Sequence, residues 1–395
     1  MTKSKTSAII RALVLPIYLP SILMSIGTGM IMLVIPLSAF DLTGSYGTAS
    51  VIFAMMGAGT LTADIPSAWL ISRLGIKPAM LLGVSLVALS SVSAGLLGSA
   101  LILGVAGFVL GAGRGLVMLS RMIYITDATT VERGRAMAIV GGMMRIGMLF
   151  GPILGGLFAK ILGFNTTLVI AGVIVACAAA FVTFLIPESA QGSALRHKNP
   201  LSAVKEIVVR FRSVFLTAGF AVVGLQLLRA ARVVIVPFWG NSLGLNVAEI
   251  GLLTGISMGL ELTMFYPVGI IMDRFGRKWT AVPCIAILAI SFALIPLSHD
   301  FTTLLLVVLL AGLGNGLGSG IFLTLGADFS PAEGRVDFLG VWRLIGDSGH
   351  TAGPFLVGLI TGVFTLASAS LVISGIGLCS AAMMLFFVKE SKWQD

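Results

Sequence analysis

Residues 269–278 read Gly269-Ile270-Ile271-Met272-Asp273-Arg274-Phe275-Gly276-Arg277-Lys278, and residues 68–77, 201 positions earlier, read Ala68-Trp69-Leu70-Ile71-Ser72-Arg73-Leu74-Gly75-Ile76-Lys77. Both decapeptides hold Arg, Gly and Lys at matching places, and both sit between long apolar runs. The same offset pairs Pro36 with Pro237, Pro66 with Pro267, Gly111 with Gly312, Gly113 with Gly314, Gly115 with Gly316, Asp127 with Asp328 and Glu132 with Glu333. A one-residue shift then aligns Gly151-Pro152 with Gly353-Pro354. Chance supplies glycine matches in such a sequence, but not the Pro, Arg and Asp pairs as well. The chain reads as a duplicated unit whose two copies share one orientation.

Working outward, each copy holds six apolar runs. They fall near 12–40, 47–72, 78–99, 101–126, 136–160 and 166–187, then near 213–240, 248–272, 279–298, 301–327, 337–362 and 367–388. Runs of about 20 residues cross the ~30 Å hydrocarbon core as helices, because lipid leaves no partner for an unpaired backbone group. With 57% hydrophobic and 10% charged residues, the composition excludes a soluble domain, for which roughly 25% charged is usual. The first run is too long for a cleaved signal core. The expected division is an N-terminal six-helix half at 1–187, a cytoplasmic linker at 188–212 and a C-terminal half at 213–395. Of 25 Lys and Arg, 18 fall on the termini and alternate loops, one (Lys160) falls opposite, and six lie within spans. Both termini are therefore expected in the cytoplasm of a bacterial-type inner membrane. The net charge of +9 is accounted for by loops facing anionic lipid, with no nucleic-acid partner.

The segment Gly269-x-x-x-Asp273-Arg274-x-Gly276-Arg277-Lys278 matches in full the loop signature of the major facilitator superfamily, which the chain resembles along its whole length. The resemblance implies an all-α integral membrane fold of twelve transmembrane helices in two six-helix repeats. It also implies a cytoplasmic latch at Gly269, Asp273, Arg274, Gly276, Arg277 and Lys278. The first-half copy lacks the glycine and the aspartate, having Ala68 and Ser72 there, so the latch is expected to be asymmetric. Span 5 carries Gly147-x-x-x-Gly151-Pro152-x-x-Gly155-Gly156, similar to the motif of drug:proton antiporters in that superfamily, and span 11 carries the related Gly349-x-x-x-Gly353-Pro354-x-x-x-Gly358. Small residues four apart let helices meet closely. The glycines of spans 4 and 10 lack the strand and the Gly-Lys-Ser/Thr of a phosphate loop. They give thin helices, among which Arg114 and Asn315 occupy equivalent repeat positions.

An ionisable group in hydrocarbon costs at least ~2.5 kcal/mol and is a functional candidate by default. Arg114, Gln226, Arg229 and Asn315 are the expected cavity residues, since the resemblance places spans 1, 4, 7 and 10 around a central cavity. Arg121 and Arg232 read as snorkelling side chains. Arg343, Asp347 and His350 stand at i, i+4 and i+7, a polar stripe on one face of span 11. The resemblance places span 11 against span 2 and span 5 against span 8, which implies inter-half pairs of Asp64 with Arg343 and of Arg145 with Glu261. Glu261 lies about twelve residues, or ~18 Å, from the Asp273 loop and is the deepest embedded acid. It is the first proton-coupling candidate, with Asp64 and Asp347 in reserve.

The expected function is a secondary active transporter moving a small organic solute by alternating access, exchanging it outward for protons, and acting as a monomer in the bilayer. The alternative within the fold is an uptake carrier for an organic anion, favoured by six embedded arginines against three acids. A sensor or a membrane-embedded enzyme is the alternative of another class. No nucleophile and base, cofactor loop or metal-ligand spacing speaks for an enzyme. The three cysteines, an odd number within apolar runs, read as small core residues without disulfide or metal.

Overall fold

The computed structural model describes residues 18–128, 133–185, 206–331 and 334–390. The linker expected at 188–212 therefore lies outside the described residues up to 205, as do Glu132 and Glu333, and the side chains of Asp127 and Arg135.

Among the described residues every regular element is helical. The order is α1 (Leu19–Thr43), α2 (Tyr46–Leu74), α3 (Ile76–Leu97), α4 (Ala100–Ala128), α5 (Arg133–Leu185), α6 (Arg212–Val214), α7 (Phe220–Ser242), α8 (Val247–Phe275), α9 (Lys278–Leu294), α10 (Phe301–Leu317), α11 (Ile321–Phe329), α12 (Arg335–Val363) and α13 (Leu366–Phe386). A π-helical turn, Phe215–Gly219, runs from α6 into α7. Among the described residues nine helices are long and apolar enough to cross a membrane, or ten when the bent pair within α2 is taken as one span. Two features keep this count below the expected twelve. The stretch Ile139–Phe184, 46 residues in α5, is about twice the length a bilayer needs but breaks only at Gly163. The other is α12, whose charges lower its hydropathy.

The repeat returns in the backbone. Leu19 and Phe220, Tyr46 and Val247, and Ala100 and Phe301 begin helices 201 positions apart. Pro36 and Pro237 stand inside α1 and α7, and Pro66 and Pro267 inside α2 and α8. Gly75 and Gly276 both turn the chain at positive φ, 88° and 107°, a conformation that an L side chain resists. The turn signature thus encodes the same sharp corner twice. Leu96, Leu101, Phe184 and Val363 lie exposed on the outside, as lipid-facing side chains do.

The described chain clusters into two compact units. The first is Met1–Gly44, Met55–Leu195 and Asn246–Gly255; the second is Ser45–Ala54, Arg196–Leu245 and Ile256–Asp395. In the first unit the span-5 glycines are contact points. A Cβ on Gly147 would collide with the Ser25 Cβ, one on Gly151 would stand 2.7 Å from the Gly29 Cα, and one on Gly155 2.9 Å from the Met30 Cα. They let α5 pack backbone to backbone on α1. In the second unit Gly349 and Gly353 do the same for α12 on α7, meeting the Val223 and Leu227 carbonyls. Ser257 donates to the Val308 carbonyl, and Ser370 and Ser374 donate to those of Phe292 and Ala289. Such interhelical bonds contribute on the order of 0.6 kcal/mol each. Gly318–Gly320 breaks the tenth span: α10 ends at Leu317, and α11 restarts from Gly320 at φ 81°. Trp342 is buried in the same unit, stacked between Phe322 and Phe338 and donating to the Phe322 carbonyl.

Two expectations are corrected. Cys177 and Cys379 are exposed, and only Cys284 is a core residue. Arg121 and Arg232 do not snorkel but are 7% and 8% exposed.

Candidate functional site

The densest embedded polar cluster lies in the second unit and centres on α7. Gln226, Arg229 and Arg232 follow one another three residues apart, so they line one flank of the helix. Arg229 spreads its guanidinium over three neutral acceptors. Nε donates to Asn315 Oδ1 at 2.7 Å, Nη1 to Gln226 Oε1 at 3.0 Å and Nη2 to the Gly318 carbonyl at 2.8 Å. The Gly318 carbonyl is free to bend toward Arg229 because α10 has just ended, and a helix C-terminus favours a cation. Gly318 also has no Cβ to fill this place, since one would stand 2.8 Å from Arg229 Nη2 and collide with Cys284 Sγ.

One turn on, Arg232 donates from Nη2 to Glu261 Oε1 on α8. Glu261 is 19% exposed along its side chain, and the Arg232 side chain 9%. The other half of the Arg232 fork, Nη1, is buried without an acceptor among the described residues. Gly316 of α10 lies against the Glu261 Cα, so the thin helix surface lets α8 bring its carboxylate close. Cys284 of α9 completes the surround, within electrostatic reach of Arg229, Glu261 and Arg232. A buried carboxylate that can gain and lose an arginine partner can take up and release a proton as it does so.

Four of the predicted site residues, Gln226, Arg229, Asn315 and Glu261, are thus brought together. Arg232, passed over in the sequence, is the charged partner of Glu261. Its signal was its spacing of three from Arg229 and six from Gln226. The first-unit candidates are arranged differently. Arg114 points a guanidinium nitrogen at the Met56 sulfur, 3.7 Å away, and Arg121 reaches Ser21 Oγ at 3.3 Å and the Met144 sulfur at 3.0 Å. Asp64 and Arg145 also belong to this unit. On α12, Arg343 bonds Asp347 at 3.3 Å, one turn apart on the expected stripe.

The loop signature forms a second charged centre. Arg277, 5% exposed, bonds Asp328 at 2.8 Å and the Met272 carbonyl at 3.0 Å. Asp273 is 80% exposed and only 3.8 Å from Arg277, a loose contact. Arg274 lies over the Phe275 ring. Glu390, just after α13, accepts from the backbone N–H of Arg277 at 2.5 Å and of Lys278 at 3.2 Å, while Lys278 Nζ donates to the Leu385 carbonyl. This carboxylate caps the N-terminus of α9 from 113 positions away. Sequence reading missed it, because nothing beside Glu390 marks it. Among the described residues, no cluster of His, Cys, Asp and Glu could hold a metal ion.

The sequence pattern described as Major Facilitator Superfamily matches residues 17–231 and 218–393. The chain is 24% identical over 330 residues to the multidrug resistance protein MdtL of Escherichia coli O81 (strain ED1a), covering 82% of this chain and 83% of MdtL. It is 27% identical over 163 residues to the hexuronate transporter of Bacillus subtilis (strain 168), covering 41% of this chain and 38% of that one. It is 26% identical over 160 residues to the quinolone resistance protein NorA of Staphylococcus aureus (strain Mu50 / ATCC 700699), covering 40% and 39%. The matches to the last two thus span about two fifths of their lengths. Two crystal structures share the fold. A POT family transporter in complex with a thioalcohol-conjugated peptide superposes with a TM-score of 0.80 at 14% identity, covering 96% of this chain and 95% of the other. A point mutant of the nucleoside transporter NupG superposes with a TM-score of 0.75 at 14% identity, covering 96% and 100%.

Proposed function

The chain belongs to the Major Facilitator Superfamily, a family of transporters rather than enzymes, and we propose that it moves a small organic solute by alternating access, coupled to protons through Glu261. The observation that carries this reading is the Arg232–Glu261 pair beside Arg229, an embedded carboxylate whose one charged partner can be exchanged. The wider architecture proposed is twelve spans in two halves, 1–187 and 213–395, with both termini in the cytoplasm of the inner membrane and a monomer as the working unit. Asp273 is the proposed exposed member of a latch whose anchored members are Arg277 and Lys278, with the start of α5 near Arg135 as its partner. As the cycle proceeds, the partners proposed for Glu261 and Asp64 are Arg145 and Arg343; Asp64 and Asp347 are the reserve proton sites.

Outward exchange for protons is supported by MdtL, a multidrug resistance protein related over most of the chain. A second reading, uptake of an organic anion, is supported by the uncompensated arginine beside Glu261 and by the hexuronate transporter. Reconstitution tests both: vesicles with an imposed pH gradient accumulate solute in one direction or the other. Identical solute movement with and without the protein would reject the carrier itself.

A further inference from the structure

Two guanidinium groups, Arg229 and Arg232, meet one carboxylate, Glu261, in this cluster of the second unit, which leaves more positive than negative charge at the cluster among the described residues. Arg229 donates to amide and carbonyl oxygens, with the Cys284 thiol beside it. Arg232 has given one half of its fork to Glu261, and its buried Nη1 has no acceptor. A guanidinium in a low-dielectric site is incomplete in this state, since its donors and its charge both call for an anion. The amides add to the demand. Gln226 and Asn315 spend their oxygens on Arg229, so in this bonding pattern each turns its NH2 group, two donors, toward whatever lies beside α7 and α10.

We infer that this cluster is the subsite for the carboxylate of an organic monoanion, with Arg232 shared between that carboxylate and Glu261. The inference rests on the proposal that Glu261 is the proton-binding group, and it assigns the chemical class of solute. A carboxylate offers about four lone-pair sites in one plane, the complement of a guanidinium fork. It would engage Arg232 in place of Glu261, and Glu261 without its arginine accepts a proton. The anion and the proton therefore bind together, and a carrier built this way moves them in the same direction. A cationic solute would instead compete for Glu261 and drive exchange. The charged and titratable groups facing Glu261 within this unit are Arg232 and Arg229 from α7 and Cys284 from α9. From α10 it meets Gly316, next to Asn315, and neither titrates.

The test uses the purified full-length chain and matched probes that differ only in charge: benzoate against benzamide, and glucuronate against glucose. Binding is read as ligand-dependent thermal stabilisation, repeated from about pH 5.5 to about pH 8, where both acids stay ionised. The expected result is stabilisation by an acid and not by its neutral partner. Its apparent Kd should weaken as pH rises, by up to about tenfold per pH unit, since the anion binds together with a proton. Glu261→Gln should keep the binding and lose the pH dependence, while Arg232→Gln should lose the binding. Arg229→Lys supplies the answer should Arg232→Gln not fold, with at least about tenfold weaker acid binding expected, because Lys keeps the charge but loses the fork that holds Gln226 and Asn315 in place. Neutral probes equal to the acids, no acid binding at any pH, or acid binding unchanged by pH would each overturn the inference. Gradient-driven, Glu261-dependent transport of an uncharged or cationic solute would overturn it too, while leaving the proton-coupled carrier standing.

Discussion

Arg232 of α7 and Glu261 of α8, 29 positions apart in the chain, hold each other by a direct Nη2–Oε1 contact inside the second unit. Each would be costly in hydrocarbon alone, and the pair makes both tolerable. Removing one partner should therefore harm more than removing both. Arg232→Leu is expected to cost about 3–5 kcal/mol, and the double variant Arg232→Leu/Glu261→Leu to recover about 1–3 kcal/mol of it. Thermal unfolding in detergent measures this, and simple additivity would reject the pair. Glu261→Gln keeps an oxygen for Arg232 and should be the mild variant.

Glu390 ties the end of the chain to the loop signature. Glu390→Ala removes the acceptor for the Arg277 and Lys278 N–H groups, a loss of roughly 0.5–2 kcal/mol for a helix cap. Gly276→Ala should be worse, because it forces a side chain to φ 107° and sets a Cβ 2.6 Å from the Glu390 carboxylate. A Glu390→Ala chain that melts with the parent would remove this clasp from the account.

Two glycines that look alike in sequence should behave in opposite ways. Gly151→Val drives a branched side chain into the Gly29 backbone and should cost at least about 1–3 kcal/mol. Gly269→Ala meets no described atom within 4 Å inside a helix and should stabilise by about 0.4–1 kcal/mol. The measurement is the difference in melting temperature between the two, and equal effects would contradict the packing described for α5 on α1.

The sequence carried the repeat well, because proline and glycine act on the backbone itself. Pro36 with Pro237 and Gly75 with Gly276 recur as helix-internal prolines and positive-φ turns at the same offset. The partner of Glu261 was less legible. Depth along a helix follows from counting residues, and with the family resemblance that sets span 5 against span 8 it made Arg145 the expected partner. Which way two helices face across the turn at 243–246 does not follow from counting, and that rotation is what gives Glu261 to Arg232. The break at Gly318–Gly320 was hidden by the even run of glycines before it. Glu390 was hidden because its role is a contact across 113 positions.

Topology can be read by single-cysteine labelling in intact cells, in a chain stripped of Cys177, Cys284 and Cys379. Ser242→Cys, at the exposed end of α7, should react with a membrane-impermeant maleimide added outside. Asp273→Cys, also exposed in the fold but on the loop proposed to be cytoplasmic, should react only after the cells are opened. Labelling of Asp273→Cys in sealed cells would invert the assignment.

The central claim is that an embedded carboxylate at Glu261 couples solute movement to protons. In proteoliposomes, the Glu261→Gln carrier should still bind its solute and still exchange it across the membrane at equal concentrations. Driven by a pH gradient, it should fail to accumulate solute, where the parent chain accumulates it severalfold or more. Full gradient-driven accumulation by Glu261→Gln would contradict the account.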